Sequence, residues 1–248
     1  MPSRSTAVIA IAALLPLCPA AAIGQTCPAP LGTAHRLALV IADGLQTSTA
    51  RLRLFRRDSP GEPWRPVGTP WPARIGNAGM AWGYRFRGLA RAGEPVKLEG
   101  DRRTPAGVYR IGRSFGFAAS PRPGYLRLRP QTLCVNDVTS PAYNSITTRA
   151  AVGPHVRGEM MRAVSHYRWG LLVDYPSNAA ARAGSCIFIH VWRSPANGTS
   201  GCVALSAQRV EALQDFAAAG AVIAILPEQA LGRLSACLPG AAVIGHVN

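Results

Sequence analysis

The chain has 248 residues, 48% of them hydrophobic, and 27 Lys and Arg against 12 Asp and Glu give a formal net charge of +15. That length suits one sizeable core, and carboxylates are too scarce for a paired-acid glycosidase, since Asp101, Asp137 and Asp174 lie in separate segments. The excess charge is nearly all arginine and is scattered along the chain, with no basic helix or zinc module, so specific nucleic-acid binding is not expected and an anionic envelope is the simpler partner.

From the start, Arg4 followed by the small and apolar run Ala7 to Ala22 reads as a secretory signal peptide, too short to span a membrane. Residues 1–24 are therefore expected to be removed, leaving 25–248 as one exported, periplasmic or otherwise envelope-located domain with no transmembrane segment, acting as a monomer. Export favours disulfides over spare thiols. Of six cysteines, Cys18 leaves with the signal; if Cys202 stays free, then Cys27, Cys134, Cys186 and Cys237 form an even set with three pairings. The favoured one joins Cys27 to Cys237, tying the ends, and Cys134 to Cys186.

Leu37 to Ala42 is an apolar run typical of a buried strand, and Ala50 to Arg56 alternates Leu52 and Leu54 with arginines, which together predict a hairpin. Ser59 to Pro72 is proline-rich and reads as a surface stretch. Further strands are predicted at Val96 to Leu98, Val108 to Ile111, Tyr125 to Arg129, Leu171 to Tyr175, Cys186 to Val191 and Ala221 to Leu226. Asp101 is taken to brace its own turn, and the Asn136-Asp137 and Tyr143-Asn144 pairs suit either a cleft or a hydrogen-bonded turn. Met160, Val164 and Tyr167 have helical spacing, which predicts a helix over Glu159 to Tyr167; His166 falls on its polar side and receives no role. A second helix is predicted after residue 205, with Ser206 as N-cap, a stripe of Val210, Leu213 and Ala217, and Gly220 closing it. The fold class is mainly β with a few helices (α+β).

The chemistry concentrates between Gly184 and Leu205. Alternation puts Cys186, Phe188 and His190 on one face of a strand and Ile187 and Ile189 on the other. A loop rich in Pro, Asn, Gly, Thr and Ser then leads to Gly201-Cys202 and a second apolar run, so the chain folds back and can bring His190 to Cys202. An imidazole that takes the thiol proton makes a nucleophile, and main-chain N–H groups at Gly201 and Cys202 would stabilise an oxyanion. No Cys-x-x-Cys or His-x₃-His pair suggests a metal, and no cofactor is implied.

His190 followed by Thr199-Ser200-Gly201-Cys202-Val203 resembles the active-site signature of the YkuD-type L,D-transpeptidases. The upstream segment Gly100-Asp101-Arg102-Arg103-Thr104-Pro105-Ala106-Gly107-Val108-Tyr109 is similar to the turn and strand those enzymes carry, and Ile75 to Gly83 is similar to one branch of the family. The likeness is strongest over residues 98–216. It implies a β-sandwich with its active site at a strand–loop–strand reversal, peptidoglycan stem peptides as substrate, Cys202 as nucleophile, His190 as base and then acid, and the carbonyl of Val191 orienting the imidazole. Thr199, Ser200 and Arg193 are the residues expected to meet substrate. Two departures stand out: Ser200 replaces a histidine common before Gly-Cys, and Ala204 replaces an Arg or Asn that meets the substrate carboxylate, for which Arg193 is the candidate substitute.

Other readings stay open. A hydrolase of the same fold would hand the acyl group to water, as an L,D-carboxypeptidase or amidase does, and a non-catalytic wall-binding module would keep only the fold. Sortase-like chemistry expects a longer His-to-Cys separation, and papain-like enzymes place the cysteine first.

Overall fold

The computed structural model describes residues 27–244; the predicted signal peptide at 1–24 lies outside the described residues. Thirteen strands follow in chain order: β1 (Arg36–Ala42), β2 (Thr49–Arg56), β3 (Arg65–Arg74), β4 (Met80–Trp82), β5 (Thr104–Gly116), β6 (Leu126–Arg127), β7 (Thr132–Val135), β8 (Ile146–Thr148), β9 (Gly158–Met160), β10 (Gly170–Val173), β11 (Phe188–Val191), β12 (Val203–Leu205) and β13 (Ala221–Pro227). The chain is sheet-rich with few helices, as its pattern implies.

β1 and β2 form the predicted antiparallel pair, with Val40 opposite Leu52, while the wholly buried β13 lies parallel to β1 on its other side. Apolar runs without alternation suit strands covered on both faces, and β13 is one. The large sheet runs β10-β11-β12-β3-β2-β1-β13-β5-β4, and β10 also pairs with β5, so the sheet curls until β10 closes on β5. β5 makes this possible by changing partners along its length. Gly107 to Ile111 pair with β13, Ile111 to Phe115 with β10, and Thr104 to Ala106 with β4. Only Val108 to Ile111 of this strand shows in the local pattern. A second sheet, β8-β7-β9, sits apart from the first.

Three expectations are corrected. The proline-rich stretch contains β3, which tolerates Pro66 and Pro72 because over most of its length β2 is its partner; Pro70 falls where the register shifts between Leu52 and Leu54. Val96 to Leu98 makes one isolated bridge, Trp82 to Val96, rather than a strand. Glu159 to Tyr167 is no α-helix: β9 covers Gly158–Met160 and two 3₁₀ turns follow at Met161–Ala163 and Ser165–Arg168. Pairing of Glu159 with Cys134 across the small sheet outweighs the helical spacing, and Met161 and Tyr167 are buried from those turns instead.

The helix Ala207–Ala217 matches its prediction. Ser206 Oγ accepts from Arg209 N, Val210 and Leu213 are fully buried, and Gln214 Nε2 donates 2.9 Å to the carbonyl of Gly170, fixing the helix on β10. Disulfides join Cys27 to Cys237 and Cys134 to Cys186, the favoured pairing.

Candidate active site

β11 and β12 run parallel, with Ile189 beside Val203 and His190 beside Ala204, so the connection at 192–202 is a crossover and not a hairpin turn. Strand alternation divides two cores as predicted. Ile187 and Ile189 enter the main core, whereas Phe188 joins Phe115, Leu128, Cys134, Met161, Tyr167 and Cys202 in a second cluster, with Cys186 packed against it. Cys186 itself precedes the strand, at φ +56°.

The crossover is held from below by Ile75 to Gly79. Thr199 N donates to Ile75 O and Asn77 N to Thr199 O, both at 2.8 Å. Thr199 Oγ1 donates to Cys202 O at 2.7 Å and accepts from Gly201 N at 3.0 Å, and Thr104 Oγ1 donates to the same carbonyl at 3.1 Å while accepting from Gly76 N at 2.8 Å. All three sequence segments singled out above therefore meet at one peptide. Gly201 has φ +143°, and a Cβ there would stand 3.0 Å from the carbonyl of Arg103. Only glycine takes that conformation without strain.

The Cys202 sulfur is tucked under the start of β11, accepting from Phe188 N at 3.4 Å and donating to Cys186 O at 3.5 Å. His190 is 4% exposed, and its Nδ1 lies 2.8 Å from Val191 O. A carbonyl only accepts, so Nδ1 carries the proton and Nε2 keeps its lone pair. Burial pushes the Cys202 thiol up to about 12, with the Glu159 charge adding to the rise and Phe188 N, Lys97 and Tyr167 opposing it. Burial likewise holds His190 down at about 3, against the Val191 hydrogen bond, with His166 lowering it further. Both shifts favour a resting thiol beside a neutral imidazole. No hydrogen bond joins the two among the described residues.

Both side chains line a cleft of about 410 Å³, shared with Asn77, Lys97, Glu99, Glu159, His166 and Tyr167. Arg193 and Ser200 are exposed on its wall, and the buried Ala204 offers it no polar group. Thr199 lines it too, with its hydroxyl committed to the main chain, and Gly201 N–H is committed to that hydroxyl. Cys202 N–H has no partner among the described residues. A larger groove of about 700 Å³ around Phe86, Leu89 and Tyr109 holds neither cysteine nor histidine. Asp101 braces its turn, accepting from Leu98 N and Arg103 N, and also pairs with Lys97 at 2.5 Å. Asp137 likewise accepts within its turn from Thr139, and Asn144 Oδ1 accepts from Cys186 N.

The family model of the YkuD L,D-transpeptidase catalytic domain matches residues 46–225. The chain belongs to this family. It thus carries an L,D-transpeptidase-type catalytic domain, the class that works on peptidoglycan. No curated protein matches the chain. Among solved structures, that of Bdellovibrio bacteriovorus Bd1075 is similar at 17% identity and a TM-score of 0.39, over 79% of this chain and 52% of that one, so the chain spans about half the length of that protein. Among the described residues no helix is long and apolar enough to cross a membrane.

Glu159, Tyr167, Lys97 and Glu99 line the same cleft, and the sequence reading assigns none of them to the site. Glu159 and Tyr167 fall in the segment whose spacing predicts a helix. Tyr167 is indeed buried, yet its hydroxyl donates 2.7 Å to Glu159 Oε1 and its ring lies 5.3 Å from that of His190. His166, given no role, stands 4.7 Å from the His190 ring with a buried Nδ1 that has no hydrogen-bond partner among the described residues.

Proposed function

We infer that the protein is an exported acyltransferase that works on peptidoglycan stem peptides through a thioester on Cys202. Cys202 Sγ attacks the carbonyl joining the third-position diamino acid to a terminal D-alanine. His190 takes the thiol proton during the attack and delivers it to the leaving amine. Val191 O keeps the imidazole in the tautomer that leaves Nε2 basic. The Cys202 N–H, which has no partner among the described residues, is the donor offered to the oxyanion; Gly201 contributes the conformation that aims it, and Thr199 holds the turn. Arg193 and Ser200 meet the donor, Arg193 taking the carboxylate that Ala204 leaves without a partner. A side-chain amine of a second stem resolves the thioester and creates the cross-link. Residues 25–248 act as one domain after removal of 1–24, in the cell envelope.

One observation carries this reading. Cys202 is the free cysteine among the described residues, the other four being bridged, and it shares a cleft with a neutral His190. Carbapenem treatment followed by intact-mass measurement tests it. The native protein is expected to gain one drug mass and Cys202→Ser none; an unmodified native protein would count against the assignment.

Ala204 favours a second reading, hydrolysis of the same thioester by water, because a weaker hold on the donor loosens the choice of acceptor. Muropeptide analysis separates the two, as cross-linked dimers or as trimmed tripeptides.

A further inference from the structure

We propose that Glu159 receives the acceptor, binding its ammonium group and taking the proton that must leave before the amine can attack. This rests on the thioester reading above. Glu159 lies on β9 opposite Cys134 and shares the cleft with Cys202, His190 and Tyr167, whose Oη donates to Glu159 Oε1 at 2.7 Å.

Two carboxylates line the cleft. Glu99 accepts from Tyr143 Oη at 2.5 Å and from Ser185 Oγ at 2.8 Å, both on Oε2, whereas Glu159 is the one joined to Tyr167, whose ring lies 5.3 Å from that of His190. Lys97, Arg102 and Arg193 are cationic, and Lys97 is tied to Asp101. Glu159 Oε2 has no hydrogen bond or ion pair among the described residues, so an anionic oxygen remains for a ligand.

An aliphatic amine near neutral pH is almost wholly ammonium, with a neutral fraction on the order of one in a thousand. Arg102 and Arg193 repel that cation, and a carboxylate in the cleft attracts it. Burial raises the Glu159 carboxyl above the usual range, which strengthens it as a base. The titratable and charged groups that line the same cleft are Tyr167, Cys202, His190, His166, Lys97, Glu99, Arg102 and Arg193. In the step, one ammonium proton passes to the Glu159 carboxylate and the nitrogen lone pair attacks the thioester carbonyl. The C–N bond forms and the C–S bond breaks on collapse. The second nitrogen proton goes to His190 Nε2, which returns it to the departing sulfur, and Glu159 releases its proton to solvent.

The test uses the mature protein acylated by a disaccharide-tetrapeptide and offered a diamino-acid stem, hydroxylamine or water, with products counted per acyl-enzyme formed. This normalisation removes any effect of the substitution on acylation. Glu159→Gln is expected to cut the ratio of amine product to hydrolysis product roughly tenfold or more, and to spare the ratio for hydroxylamine, which is uncharged near neutral pH. A structural role would depress both. Glu159→Asp, which withdraws the charge by one methylene, is expected to give an intermediate ratio and serves if the Gln variant does not fold. An amine ratio equal to that of the native protein in the variant tested, or equal losses for both nucleophiles, overturns the proposal. A native protein that forms no acyl-enzyme overturns the underlying thioester reading and this proposal with it, whereas acylation with an unchanged ratio overturns this one alone.

Discussion

Thr104 Oγ1 donates to the main-chain carbonyl of Cys202 at 3.1 Å, across a separation of 98 positions in the chain. The same oxygen accepts from Gly76 N at 2.8 Å, so one hydroxyl ties the base of β5 to the crossover and to the turn beneath it. It is fully buried. The threonine of the upstream motif therefore belongs to the architecture of the cysteine peptide and does not reach into the cleft.

Thr104→Val keeps the shape and removes both bonds. The buried Gly76 N–H is left without a partner, which costs about 1–3 kcal/mol, while Thr199 still holds Cys202 O. Thermal unfolding is expected to show that loss, and the acylation rate is expected to fall with it. A variant as stable and as fast as the native protein would remove Thr104 from this account.

Gly201→Ala tests the backbone at the cysteine. With φ at +143° and the Arg103 carbonyl 3.0 Å from the new Cβ, the strain is about 1–3 kcal/mol. Relief by moving the peptide would also move the sulfur. A lower unfolding temperature together with slower acylation is expected; unchanged acylation would show that the sulfur tolerates another placement.

The two disulfides are expected to separate by function. Chain-entropy arguments assign about 5 kcal/mol to the Cys27–Cys237 bridge and about 4 kcal/mol to Cys134–Cys186 as upper values. Only the second fixes Cys186, whose carbonyl accepts from the Cys202 thiol. Replacing Cys27 and Cys237 by serine should lower stability with little change in acylation of the remaining folded protein. Replacing Cys134 and Cys186 should lower both, and equal acylation in the two variants would contradict this division.

Much of this arrangement is legible in the residues, and the failures have physical causes. β1, β2 and β13 announce themselves as apolar or alternating runs, and Ser206 with Val210 and Leu213 gives away the helix, because local pattern and tertiary burial agree there. His190 and Cys202 are found through the glycine-rich crossover between them. β3 hides behind its prolines, since a strand paired on one side over most of its length does not need every N–H. Glu159 and Tyr167 hide because three apolar residues at helical spacing describe β9 and two 3₁₀ turns equally well, and a pairing with Cys134 decides between them.

The pKa directions predict how the thiol responds to pH. With Cys202 pushed up to about 12 and His190 held at about 3, thiolate is scarce at neutrality. Alkylation of the free protein by iodoacetamide should climb about tenfold per pH unit from neutral pH towards 12. The linkage has a matching sign. Between the ordinary cysteine pKa, about 8.5, and 12 the folded thiol keeps a proton that the unfolded one has lost, so this group's contribution to stability falls as pH rises. A rate that is flat between pH 4 and 8 would instead reveal a preformed thiolate and imidazolium.

The central claim is that the Cys202 sulfur carries the acyl group. The most direct measurement is incubation of the mature protein with a disaccharide-tetrapeptide, followed by rapid acid quench, intact mass and peptide mapping. The account predicts a disaccharide-tripeptide adduct on Cys202 with release of D-alanine, abolished in Cys202→Ser and strongly slowed in His190→Gln. Release of D-alanine by the Cys202→Ser variant at the native rate, or an adduct mapped to another residue, would contradict it.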